Sequence, residues 1–309
     1  MQPLGCYWGE SIEAIPMTKE IKLINKTKRL IRHLGCPRWL HHFGPKKYEF
    51  LEHLTALLMR AFCRLSYRRI VQLFDLIGIR CPSKSALQYT AKKLTSSFWN
   101  KVLKITCGSS YLIAIDGTGL SRTNPSYHYL RRIDGKIPKI PIKLSIAYDT
   151  RKKKIPAARI RVLPAHDIKD VKNLLKQSKP KVFVADKAYD ANWLHKYCLE
   201  NNIKAHIPIR KYGKSKHQRR SARREATKHF NLKTYHRREL AESGMSSTKR
   251  KYGSSVNSKS VRTIRTEIYA RLACHNIFSF IKRLLGQSLG KDKFYILLFN
   301  ILCHGISDV

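Results

Sequence analysis

Apolar residues fall at helical spacing early in the chain. Phe50, Leu51, Leu54, Leu57, Leu58, Ala61, Phe62 and Leu65 mark one stripe, and Ile70, Val71, Phe74 and Ile77 mark a second that stops near Gly78. After the turn IRCPS, Ser83 and Ser85 are helix-cap candidates, and Ala86, Leu87, Thr90 and Leu94 line a third stripe. Upstream, residues 1–45 are poorly patterned and hold Gly35, Pro37, Gly44 and Pro45, which predicts a loose lead-in with a short basic helix around Lys19 to Leu34. From Ser110 the period changes. YLIAID is a short apolar run of β type expected to end on Asp116, and SYHYLRRIDGK, KLSIAYDT and AARIRVLP read as strands, the last two as a hairpin around RKKK. Asp167 is expected to cap the helix DIKDVKNLLKQS. KVFVAD then reads as a buried strand ending on Asp186, followed by a helix from about Asp190 to Asn201 and the strand IKAHIPI. Helical periodicity returns over 255–285, through Val261, Ile264, Ile268, Leu272, Ile277, Phe280 and Ile281, and this segment is expected to cover the sheet.

These strands, followed by a helix, a strand, a helix, a strand and a distal helix, predict a mixed α/β domain with a central sheet flanked by helices, over 106–285. A small all-helical domain over 46–105 precedes it and a C-terminal tail, 286–309, follows. Two short helices around a Gly-containing turn, with Arg68, Arg69, Arg80, Lys84, Lys92 and Lys93, fit a helix-turn-helix-like DNA-binding module. An ordinary helical bundle packed on the next domain fits the same pattern.

Charge narrows the partner. The 309 residues carry 62 Lys and Arg against 20 Asp and Glu, a net charge of +42, so a polyanion is expected to bind. Charge alone does not choose between DNA and RNA. A hydrophobic content of 43% excludes a disordered basic tail. The block Pro208–Arg238 holds twelve Lys and Arg and one Glu. Its plain reading is a solvated loop; beside a catalytic helix it becomes a phosphate clamp, with Arg219, Arg220, Arg223 and Arg224 among its contacts and strongly salt-sensitive binding. Eight cysteines without a CxxC pair argue against a zinc ribbon or a disulfide framework, so reduced thiols and a cytoplasmic, nucleoid-associated protein are expected. The N-terminus lacks a signal-peptide pattern, and the apolar run Phe294 to Cys303 is too short to span a bilayer.

Candidate chemistry sits on three acids. An Asp ending an apolar strand is otherwise costly, which singles out Asp116; Asp186 ends the second such strand. Asp190 suits a helix N-cap, and Asp134, Asp149, Asp167 and Asp170 have loop, turn or cap explanations. Further on, Tyr235, Arg238, Glu242 and Lys249 would lie within roughly a 60° arc of one helix, although Gly244 and the serines after it predict an imperfect helix. Two carboxylates at strand ends and a third from a helix suit Mg²⁺ or Mn²⁺, and two such ions can activate a nucleophile and stabilise the leaving oxygen at a phosphodiester.

The spacing Tyr, two residues, Arg, three residues, Glu, six residues, Lys resembles the YREK signature of DDE transposases from one large group of insertion sequences, and ADKAYD resembles that family's second-aspartate motif. The resemblance covers about residues 60–285, most strongly 111–251. It implies an RNase H-like fold, with Asp116, Asp186 and Glu242 as the catalytic and metal-binding triad and Mg²⁺ or Mn²⁺, two ions, as cofactor. Tyr235, Arg238 and Lys249 would then contact DNA phosphates near the cut. The implied reaction is hydrolysis at the ends of an insertion sequence, followed by attack of the freed 3′-hydroxyl on target DNA, with a homodimer pairing two ends. Two other readings stay open: a non-catalytic basic nucleic-acid-binding protein, and a metal-dependent nuclease without strand transfer.

Overall fold

The computed structural model describes residues 19–40, 46–122, 142–163, 165–210 and 222–285. Five helices come first: α1 (Lys19–Leu34), α2 (Phe50–Phe62), α3 (Tyr67–Leu76), α4 (Lys84–Lys93) and α5 (Ser96–Cys107). Side chains of Ser66, Ser83 and Thr95 accept hydrogen bonds from the N–H groups of Arg69, Ala86 and Phe98, so each opens its helix with an otherwise orphaned donor satisfied. Of the two serines expected as caps, Ser83 takes the role and Ser85 lies inside the helix. Helix α5, which no expected stripe singled out, buries Trp99, Val102 and Leu103.

The sheet is built from β1 (Leu112–Arg122), β2 (Ile142–Asp149), β3 (Lys154–Arg161), β4 (Val182–Ala185), β5 (Lys204–His206) and β6 (Ser255–Val256). Spatial order runs β3-β2-β1-β4-β5, with β6 paired to the far end of β1. Strands β1, β2 and β3 are antiparallel neighbours, whereas β4 and β5 run parallel to β1. The helix α6 (Ile168–Ser178) carries the crossover into β4, and α7 (Asn192–Glu200) the crossover into β5. The expected hairpin is β2–β3. The expected strand SYHYLRRIDGK lies outside the described residues. Strand β1 does not stop at Asp116, because β2 continues to pair with it as far as Leu120 opposite Ile142.

Alternation along the strands divides the core in two. Leu112 and Ala114 of β1, Ile146 and Tyr148 of β2 and Val184 of β4 face one cluster, shared with Leu54, Phe74 and Trp99 of the early helices and with Ala241, Met245 and Ile268. Ile113, Ile115, Ala147, Phe183 and Ala185 face the other, packed against Val171, Leu174 and Leu175 of α6 and Leu194 and Cys198 of α7. The core of the early helices is thus continuous with one face of the sheet. The long helix α11 (Val261–Leu285) packs across α2, α5 and β3. Its Asn276 side chain accepts from the Ile155 N–H (2.7 Å) and donates to the Ile155 carbonyl (2.8 Å), and Asn100 of α5 accepts from the Ala158 N–H (3.0 Å). These amides cover backbone groups of the outer strand β3, which exposed would template pairing with another chain. Among the described residues no helix is long and apolar enough to cross a membrane, and the described cysteines form no disulfide.

Candidate active site at the end of the central strands

The register between β1 and β4 brings two of the expected acids together. Ile115 lies opposite Ala185 in this parallel pair, and there the pairing ends. Asp116 and Asp186 come next on each chain, side by side on neighbouring strands whose spacing is roughly 5 Å. Asp116 is still held in the sheet by β2, opposite Ile146, while Asp186 leaves it to open a short 3₁₀ turn, Lys187–Tyr189. One carboxylate oxygen of each is turned to the backbone: Asp116 accepts from the Gly117 N–H (2.9 Å) and Asp186 from the Lys187 N–H (2.7 Å). Both side chains remain partly exposed.

The third acid comes from a helix on the face of the sheet that Asp116 shares with Leu112 and Ala114. The chain passes through α8 (Ala222–Lys228), α9 (Leu232–Tyr235), a 3₁₀ turn His236–Arg238 and α10 (Glu239–Tyr252). Tyr235 closes α9, Arg238 lies in the 3₁₀ turn, and Glu242 and Lys249 stand two turns apart on α10. The helix runs unbroken through Gly244, contrary to the expected imperfection. A β-carbon there would stand 2.4 Å from Tyr148 Cε2 and 2.5 Å from Cζ, so glycine is what lets α10 lie flush on β2. Ala241 and Met245 bury beside it and Glu242 stays half exposed. Lys249 donates from Nζ to Thr118 Oγ1 (2.6 Å), which fastens α10 to β1 two residues beyond Asp116. Arg238 Nη1 is ion-paired with Glu242 Oε1. The Tyr235 ring packs against Phe230, with centroids 5.7 Å apart.

The remaining acids sort differently from their sequence reading. Asp190 does not cap α7, whose N-cap position is Ala191. It is a buried acceptor for His195 Nε2 (3.1 Å), the Arg210 N–H (2.9 Å) and Arg223 Nε (3.0 Å). Arg223, expected as a phosphate contact, is therefore engaged with Asp190, which ties α8 to the end of the sheet. Arg224 is described in α8, whereas Arg219 and Arg220 lie outside the described residues. Asp170 is fully buried against Arg161 (2.7 Å) and Ser145 (3.1 Å). Asp149 accepts from the N–H groups of Arg151 and Lys152 as a turn residue does. Asp167 opens α6 without a capping hydrogen bond, and its carboxylate is paired with Lys143. That carboxylate lies over Gly117, the neighbour of Asp116.

Electrostatics mark the same edge. Burial holds Asp116 above the usual carboxylate range; the Gly117 N–H opposes the shift, while Glu242 and Asp167 add to it. Burial works against the charge on Arg238, yet Glu242 outweighs it and raises the group above its ordinary value. Hard carboxylate oxygens crowded enough to repel one another suit Mg²⁺ or Mn²⁺ in their chemistry. Asp116, Asp186 and Glu242 supply such oxygens. Among the described residues, however, no three His, Cys, Asp or Glu side chains are gathered closely enough to grip one ion, so the expected convergence is incomplete.

Comparison with known proteins gives one family. The transposase DDE domain matches residues 108–277, which takes in β1 through most of α11. Among solved structures, a piggyBac transposase synaptic complex with hairpin DNA is 13% identical, with a TM-score of 0.46, covering 91% of this chain and 77% of that one. Among curated proteins none shows significant sequence similarity to the chain.

Proposed function

Because the chain belongs to the transposase DDE domain family, we propose that it is the transposase of an insertion sequence, of the group with the YREK signature, acting through an RNase H-like domain. It binds the ends of its element, cleaves DNA by metal-dependent hydrolysis and transfers the 3′-hydroxyl end to target DNA. The observation that carries this reading is the register that ends β1–β4 pairing at Ile115 and Ala185, with Asp116 and Asp186 next on each strand and Glu242 arriving on α10.

In this reading Asp116, Asp186 and Glu242 would hold Mg²⁺ or Mn²⁺, two ions, and bound there they would supply activation of the nucleophile and stabilisation of the leaving oxygen at a phosphodiester. Glu242, ion-paired with Arg238, would give up that partner to hold the cation. Arg238 then becomes available to a phosphate, where its planar fork suits two oxygens. Lys249, held at Thr118, sets a point charge two residues past Asp116. Tyr235 offers a ring to a displaced base and a hydroxyl to a phosphate. Arg224, Arg219 and Arg220 extend the basic surface along the DNA backbone, and Arg223 fixes the base of that surface to Asp190. The helices over 46–105 bind DNA beside the catalytic domain, and the protein works as a homodimer on paired ends.

Joining distinguishes this function from its rivals. A pre-cut, 3′-hydroxyl element end incubated with plasmid and Mn²⁺ should yield covalent joints with wild type. Hydrolysis without joints would mean a nuclease, and binding without either product would mean a non-catalytic DNA-binding protein.

A further inference from the structure

Positive charge is also concentrated at the other end of β1. Strand β6 pairs Ser255 with Ser121, five residues beyond Asp116 and so roughly 17 Å along the strand. There the ends of α2 and α10, together with β6 and α11, frame a cavity of about 130 Å³, far more than one water needs. Arg60, Arg64 and Arg271 line it, with Ser255, Asn257 and Glu267.

The charges in that wall do not balance. Glu267 is buried, and both its oxygens are taken. Oε1 accepts from the Asn257 N–H (3.2 Å) and from Arg271 Nη2 (2.5 Å), and Oε2 from the N–H (3.0 Å) and hydroxyl (2.6 Å) of Ser258. Arg271 gives its other terminal nitrogen to the Gly253 and Ser255 carbonyls. Arg60 is left over. It is 6% exposed, its guanidinium lies 3.9 Å over the Tyr67 ring, and its Nη2 stands 3.5 Å from the saturated Glu267 Oε2. Its Nε meets no acceptor among the described residues. Arg64, just past α2, adopts φ 56°, in the left-handed region that favours glycine, and is exposed. Its Nε donates to the Lys251 carbonyl (2.9 Å) and its Nη2 to that of Arg250. Burial draws Arg271 below its ordinary range; Glu267 opposes the shift, and Arg60 and Arg64 add to it. Three guanidiniums thus face one carboxylate, and a buried charge without a counter-ion is costly.

We propose that this cavity is a phosphate site, with the buried Arg60 at its floor and the exposed Arg64 at its mouth. A guanidinium fork matches two phosphate oxygens, and Arg60 has no other acceptor to satisfy. The group is a phosphate of a DNA backbone or a free phosphate, which present the same oxygens. Arg64 already ties the end of α2 to the end of α10, so a phosphate held here grips the early helices together with the helix that carries Glu242. The site needs no metal at Asp116, so it stands or falls apart from the catalytic reading.

The test is thermal unfolding of the full chain without DNA, in inorganic phosphate against chloride at equal ionic strength. Phosphate at about ten times its dissociation constant should raise the wild-type midpoint by roughly 3 °C, and Arg64→Gln should lose most of that rise. Arg60→Met keeps a stem over Tyr67 and removes the uncompensated charge, so it should be more stable than wild type in chloride and blind to phosphate. An Arg60 that serves only as a partner of Glu267 would instead make that variant less stable. Ser255→Asp puts an anion into the cavity from the chain itself. It should raise the midpoint in chloride and cancel the phosphate response, and it supplies the measurement if Arg60→Met does not fold. A short DNA duplex separates the two sources. For a backbone phosphate, Arg64→Gln should weaken duplex binding several-fold and lower the slope of log affinity against log salt by about one. Unchanged duplex affinity and slope, with the response to inorganic phosphate lost, would assign the site to free phosphate. An equal phosphate response in wild type, Arg64→Gln and Ser255→Asp would overturn the site.

Discussion

Gly244→Ala separates packing from helix propensity with a change of sign. In an exposed helix interior, alanine is favoured over glycine by about 1 kcal/mol. At position 244 the added methyl would stand 2.4 Å and 2.5 Å from two ring carbons of Tyr148 and 2.9 Å from its hydroxyl oxygen. The ring is buried under the helix, so either the ring or α10 must move, and overpacking of that kind costs about 1–3 kcal/mol. Taking about 2 kcal/mol for the clash and about 1 kcal/mol for the propensity gain, the variant should be less stable by about 1 kcal/mol in urea unfolding. In a Tyr148→Ala background the clash is absent, so the same substitution should stabilise by about 1 kcal/mol, a coupling of about 2 kcal/mol. Because Glu242 and Lys249 ride on α10, DNA cleavage by the single variant should fall as well. A Gly244→Ala protein more stable than wild type, with no coupling to Tyr148, would refute the flush contact and the placement of Glu242 that depends on it.

Three further outcomes follow from buried groups. Asp190→Asn leaves Arg223 and His195 without their shared carboxylate and should cost about 3 kcal/mol in urea unfolding; a cost below about 1 kcal/mol would contradict the anchoring role. Burial pushes His275 down to about 4 from 6.5, its ring held between Thr248 and the Lys153 carbonyl. The unfolded chain therefore binds a proton first, and stability present above pH 6.5 should be lost as pH falls toward 4, by about 3 kcal/mol for this group. His275→Asn should flatten that part of the stability–pH curve, and an unchanged slope would show that the ring is not buried neutral. Asp116 is shifted the other way, so its charge destabilises the fold at neutral pH and the penalty disappears as the group protonates in acid. Asp116→Asn should accordingly be more stable than wild type at pH 7 in thermal unfolding, with the gain vanishing below the ordinary aspartate range; a less stable variant at pH 7 would contradict this.

Short-range patterns carried much of this architecture. The helix expected around Lys19 to Leu34 has those bounds, the hairpin around RKKK is β2–β3, and KVFVAD becomes a buried strand ending just before Asp186. Each depends on spacing within a few residues, which a sequence displays directly. Glu242 and Lys249, seven apart, do share one helix for the same reason, while Tyr235 and Arg238 sit in the α9 and 3₁₀ turns ahead of it. What stayed hidden depends on partners far along the chain. Gly244 reads as a helix breaker until Tyr148, nearly a hundred residues earlier, is packed against it. Asp167 has a plausible local role as a cap, and only the docking of α6 over Gly117 brings it to Asp116. Asp190 likewise looks like an N-cap beside Ala191, whereas its burial is explained by Arg210 and Arg223 from a later segment. Strand β1 ran longer than its apolar run because a neighbour, β2, supplied hydrogen bonds past Asp116.

The central claim is that Asp116, Asp186 and Glu242 form one catalytic site, and the most direct measurement is cleavage at the boundary of the element. DNA carrying the element's end and its flank, incubated with Mg²⁺ or Mn²⁺, should be cut at that boundary by wild type. Asp116→Ala, Asp186→Ala and Glu242→Ala should each retain DNA binding and lose cutting. Boundary cleavage that persists in any of the three variants would contradict the account.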